Sequence, residues 1–97
     1  MQANTKLDKD QKEQLATFRE FSPAKIVNLD NKTTMAYQVH GNTVEFALSV
    51  MAPTEKKFRR KVGEYFAYDK FNDDQTVTMA VNDFKVMCEA VYNAYPI

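Results

Sequence analysis

The residues with most scope for chemistry are Lys56, Lys57, Arg59, Arg60 and Lys61, which make five of the six positions 56–61 basic. Across 54–63, five cations and one carboxylate leave a local charge of +4, whereas four carboxylates and one lysine across 64–74 leave −3. On a helix this order is inverted. The positive end of the helix dipole favours acids in the first turn and bases in the last, each by ~0.3–1 kcal/mol. Departures from local rules gather at functional sites, so the run is a candidate contact for an anionic partner, either a nucleic-acid backbone or an acidic protein patch. The competing reading is a solvated charged face, the usual fate of charge runs in a small domain.

At about 100° per residue, Lys56 and Arg60 stand opposite the apolar stripe of the expected helix, with Lys57 nearby and Arg59 and Lys61 flanking the stripe. The cations therefore form a collar. A collar grips a phosphate backbone without presenting one polar face to base edges, which disfavours sequence-specific DNA reading. Gly63 and Ala67 fall on the same outer side. A mid-helix glycine costs ~1 kcal/mol relative to alanine. Either a partner approaches closely there, making Lys56, Arg60, Gly63 and Ala67 one contact strip with a small-residue floor, or Gly63 packs beneath the first helix or sits exposed without consequence.

Other reactive side chains are isolated. His40, the only histidine, precedes the Gly41-Asn42 turn and has neither a second imidazole for a metal nor a nucleophile to activate. Cys88, the only cysteine, lies on the apolar side of the expected last helix, where a thiol behaves as a small hydrophobe of raised pKa. Asp69, Asp73 and Asp74 lack calcium-loop spacing and read as an acidic turn. Phosphate-loop, nucleophile-elbow and zinc-helix motifs are missing from a chain with only two glycines, so the expected protein is not an enzyme and calls for no cofactor or metal. Five tyrosines and seven phenylalanines raise base stacking as an option. By period, however, Phe46, Phe58, Phe66 and Phe84 belong to the core, which leaves Tyr37, Tyr68, Tyr92 and Phe71 for display.

The stretch from Val50 to Ala67 resembles a pattern recurring in small uncharacterised bacteriophage and mobile-element proteins. In that pattern a strand runs into a proline, an acidic residue and a phenylalanine, followed by an Arg-Lys-x-Gly and a small residue. Pro53, Glu55, Phe58, Arg60, Lys61, Gly63 and Ala67 carry the match, which covers under a quarter of the chain. The resemblance implies viral or mobile-element origin and a strand-helix-strand unit, with no activity to carry over.

The elements that must position the collar follow from period and punctuation. At 97 residues, with 13 Lys+Arg against 13 Asp+Glu and 44% hydrophobic content, the chain suits one globular domain spanning 1–97. A single cysteine and the absence of an apolar leader or membrane span suggest a reducing cytoplasm. Residues 1–6 read as frayed, and Asp8 with Gln11 forms a capping box for a helix over 9–20. Its stripe of Leu15, Phe18 and Phe21, supported by Leu7, is thin, so the 1–23 segment is the most detachable. Ile26 starts a strand, Asp30-Asn31-Lys32 turns, and Met35, Tyr37 and Val39 alternate along the next strand. After Gly41-Asn42, Val44, Phe46, Leu48 and Val50 give a central third strand with that face on the core and Glu45 pointing away. Thr54 caps a helix over 55–70 with Phe58, Val62, Tyr65, Phe66 and Asp69 on one side. Residues 76–81 form a fourth strand, and Asn82 or Asp83 caps a last helix carrying Phe84, Met87, Cys88, Val91 and Tyr95 on one face, with Pro96 just beyond.

The fold class is thus α+β in the order α-β-β-β-α-β-α, with an antiparallel sheet of about four strands covered on one face by the 55–70 and 83–95 helices. The function reads as a small non-enzymatic protein-binding module, for instance a phage-encoded modulator of a host factor, docking through the basic helix. Its alternative is a nucleic-acid-binding module of no sequence specificity using the same cations. A pI near 6.6 favours the first, because dedicated nucleic-acid binders carry a basic balance. An open sheet edge leaves room for a homodimer.

Overall fold

The computed structural model describes residues 6–52 and 57–97. The expected order holds: α1 (Lys9–Phe21), β1 (Lys25–Asn28), β2 (Thr33–His40), β3 (Thr43–Val50), α2 (Arg60–Asn72), β4 (Val77–Ala80) and α3 (Val81–Tyr92). The four strands pair antiparallel in the order β1-β2-β3-β4, which makes β2 and β3 central.

Local chemistry accounts for the boundaries. At α1 the Gln11 amide donates to Asp8 Oδ1 at 2.8 Å while the Asp8 amide donates to Gln11 Oε1 at 3.1 Å, the reciprocal capping box. In the first hairpin the Asp30 carboxylate accepts from the Lys32 and Thr33 amides at 2.7 Å each, closing the turn. The second hairpin turns at Gly41, whose φ of 60° suits glycine.

The sheet is covered on both faces, which corrects the expectation of helices on one. In register, Val27, Met35 and Leu48 lie across one face with Tyr37, Phe46 and Val44. These pack with Phe84 and Cys88 of α3. The opposite face presents Ile26, Ala36 and Ala47, and these pack with Ala67, Tyr68 and Phe71 of α2. Small side chains explain why that face looks solvent-directed in the sequence. Thr34, Ala36, Ala47 and Ser49 are all buried and allow a helix backbone to lie close to the strands. Outside α2 sits α1, with Phe18 stacked 5.6 Å from Tyr68 between ring centroids. The layers therefore run α1, α2, sheet, α3.

Three further expectations shift for related reasons. Val50 is 62% exposed rather than core, because it ends β3 outside the cluster that α3 covers. Phe21 is 74% exposed and belongs to neither hydrophobic cluster, although its neighbours Phe18 and Ser22 both reach α2, at Tyr68 and Asn72. Val91, expected on the apolar face of α3, is exposed near the C-terminal end of that helix. The last helix also starts directly from β4, with Ala80 at its cap position and no side-chain cap, so neither Asn82 nor Asp83 serves as cap.

Candidate anion-binding cleft

The described part of α2 begins at Arg60, later than expected, and 57–59 are not helical. Thr54, the expected cap, lies outside the described residues, as does Lys56. Arg59 occupies the cap position, no side chain caps the helix, and its first turn holds no acid. Winding Lys57 and Arg59 into the helix would stack more positive charge on the positive end of the dipole. The inverted order read from the sequence thus persists at Arg60 and Lys61, and the amides of the first turn, which lack intrahelical partners, add partial positive charge beside them.

The cations meet a second group from the other end of the chain. Lys57, Phe58, Arg59, Arg60, Lys61 and Val62 face Lys6, Leu7 and Lys12 across a cleft of about 420 Å³. Six of these nine lining residues are cationic, the other three are apolar, and none is a carboxylate, histidine, thiol or hydroxyl. Leu7 is buried at the base, Phe58 and Val62 are half-buried, and all the cations except half-buried Arg59 are exposed. The arrangement is a cationic rim over a hydrocarbon floor. Such a rim attracts anions.

Of the rim cations, Arg60 alone pairs with a carboxylate among the described residues. Its Nε lies 3.3 Å from Glu64 Oε2, and Arg19 Nη2 from α1 donates to the other oxygen, Oε1, at 2.7 Å. Glu64 is only 8% exposed, so a single buried carboxylate ties α1 to the start of α2 and leaves the rest of the rim unneutralised among the described residues. Neither Glu64 nor the contribution of Lys6 and Lys12 was singled out by sequence reasoning. The charge run at 56–61 marks one wall, but the other wall lies some fifty positions earlier in the chain, and only packing of α1 on α2 brings it near.

Gly63 and Ala67 are buried, and this corrects their assignment to an outward contact strip. A Cβ on Gly63 would fall on the Thr34 hydroxyl, so the small-residue side of α2 is the side pressed on the sheet. The buried side of α2 comprises Gly63, Glu64, Ala67, Tyr68 and Phe71, while Val62, Tyr65 and Phe66 are half-buried and Asp69 is exposed. The face expected to be core is therefore rotated toward α1 and the edges of the layer. The aromatic candidates for display are withdrawn in the same way, since Tyr37, Tyr68 and Phe71 are buried and Tyr92 packs against the α3 cluster.

Elsewhere, Cys88 is buried in the α3 core, and burial pushes its thiol pKa up. His40 is exposed, with Nε2 3.2 Å from Glu45 Oε1. Asp73 accepts a hydrogen bond from the Gln75 side chain at 2.9 Å, and Asp69 and Asp74 are exposed. Among the described residues no three His, Cys, Asp or Glu side chains come together as a metal site, and no helix is long and apolar enough to cross a membrane. Comparison with protein-family models, with curated proteins and with solved structures finds no match to this chain.

Proposed function

We propose that this protein is a small non-enzymatic binding module that docks on an acidic protein surface through the cleft between α1 and α2. The observation that carries this reading is the lining itself: among the described residues, six cations and no carboxylate in one concavity of a chain whose total charge is zero. In a neutral protein such segregation concentrates attraction at one place, raising encounter rate and orientation for a complementary partner. A phage-encoded modulator of a host factor is the setting proposed for it, in keeping with the viral or mobile-element origin that the 50–67 resemblance implies.

The same rim would also attract a phosphate backbone. Burial of Tyr37, Tyr68 and Phe71 removes the stacking platform that single-strand binding uses, and the cations surround a cleft instead of tracking along a groove. Nucleic acid is therefore the alternative.

The test is an NMR titration with poly-L-glutamate at low and high salt, beside single- and double-stranded oligonucleotides. Shifts confined to amides of 6–12 and 57–62 that fade at high salt are expected with the polycarboxylate. Absence of binding at low salt, or shifts mapping elsewhere, overturns the proposal. Tighter binding of oligonucleotides transfers the cleft to the alternative.

A further inference from the structure

We infer that the occupant of the cleft is a short acidic peptide segment carrying one aromatic or aliphatic anchor side chain, which inserts between the cations onto Leu7, Phe58 and Val62. This deepens the acidic-docking reading and rests on it. Charge alone would be met by a flat cationic surface, but here the rim surrounds a floor that, among the described residues, is wholly apolar: Leu7, Phe58 and Val62. Leu7 and Val62 continue into the hydrophobic cluster that holds α1 on α2, so an inserted side chain would extend an existing core. The volume of about 420 Å³ lies within the ~300–1,000 Å³ of clefts that enclose small ligands. It suits a side chain with its flanking residues and is too confined for a duplex.

Donor chemistry selects among anions. Among the described residues, every polar side-chain atom lining the cleft is an ammonium or guanidinium nitrogen, which donates and does not accept. A nucleotide base would bring N–H donors that these side chains leave unpaired, at a desolvation cost. The side chains of an acidic segment, carboxylates around a hydrocarbon anchor, bring only acceptors and apolar surface to the cleft, and its backbone amides can stay solvated outside the rim. Outside the cleft, within α2, Arg60 already pairs with the Glu64 carboxylate at 3.3 Å. Because one wall comes from 6–12 and the other from 57–62, the segment would bridge α1 to α2. Binding would then stabilise the docked α1, since a ligand favours the state that presents its site.

The experiment compares labelled peptides of equal negative charge whose central residue is Phe, Leu or Ser. Affinity is measured by fluorescence polarisation, contacts are mapped by NMR, and α1 is followed by hydrogen exchange. The Phe and Leu peptides are expected to bind at least about tenfold more tightly than the Ser peptide, equivalent to ~1.4 kcal/mol. They are also expected to slow exchange in α1, and Lys57→Glu/Lys61→Glu should abolish binding of all three. Equal affinity for the three peptides overturns the anchor while leaving acidic docking intact. No binding by any of them, or binding unchanged in the Lys57→Glu/Lys61→Glu protein with its fold retained by circular dichroism, overturns both. A single-stranded oligonucleotide of matched charge that displaces the Phe peptide and binds more tightly assigns the cleft to nucleic acid.

Discussion

Gly63 of α2 lies against Thr34 of β2 so closely that a Cβ at position 63 would fall on the Thr34 hydroxyl and 3.3 Å from its Cβ, with Phe58 Cε1 at 3.5 Å on the other side. That hydroxyl is committed, because Thr34 Oγ1 donates to Asn28 Oδ1 at 2.9 Å in the neighbouring strand. The glycine is where the helix is allowed to touch the sheet, and this contact fixes which face of α2 is buried and where Arg60 and Lys61 emerge.

Gly63→Ala is therefore expected to destabilise the protein even though alanine is the better helix former. Overpacking costs ~1–3 kcal/mol and outweighs the ~1 kcal/mol of helix propensity recovered. Urea unfolding checks this, with Gly63→Ala/Thr34→Ala recovering part of the loss. A stability equal to or above the original would show that the contact yields without strain.

The Arg19–Glu64–Arg60 node should respond unequally to its two arginines. Arg19 holds Glu64 Oε1 at 2.7 Å across two elements, whereas Arg60 is 75% exposed at its side chain and pairs within one helix. Half-exposure of Arg19 discounts its contact, so Arg19→Ala is expected to cost about 1 kcal/mol and to speed hydrogen exchange throughout α1. Arg60→Ala should change stability by less than about 0.5 kcal/mol. Equal effects, or α1 exchange unchanged in Arg19→Ala, would remove the node as the tie between α1 and α2.

At high pH the protein should lose stability. Burial, then the Glu64 carboxylate, raises the Tyr68 pKa above its ordinary 10.0. Burial, then Asp69, does the same for Tyr65. Burial, then Asp30, does so for Tyr92, and burial alone raises Cys88 above its ordinary 9.0. In each case the folded pKa exceeds the unfolded one, so the unfolded chain gives up its proton first. Stability is complete below the unfolded values and declines as pH climbs through 9.0 and 10.0 toward the folded values. Urea midpoints constant from neutral pH to above 10.0 would contradict this. The Cys88 thiol should also react with a disulfide reagent far more slowly in the native than in the unfolded protein.

Patterns confined to neighbouring residues were legible in the sequence. Asp8 with Gln11, the Asp30 turn, Gly41, and the period-two run from Val44 set the elements and their order, because caps, turns and alternation act over a few positions of chain. The cation run at 56–61 likewise declared an unusual helix start. Which faces were covered was decided only by the tertiary structure. Thr34, Ala36, Ala47 and Ser49 are small enough to read as a solvent face, and they are buried because α2 settles on them through Gly63 and Ala67. The same packing turned Gly63 and Ala67 of the expected contact strip inward, made Glu64 a buried node and brought Lys6 and Lys12 opposite Lys57 and Arg59. Contacts between residues dozens of positions apart depend on complementary shape and volume summed over a whole layer, and no local spacing in the chain encodes that sum.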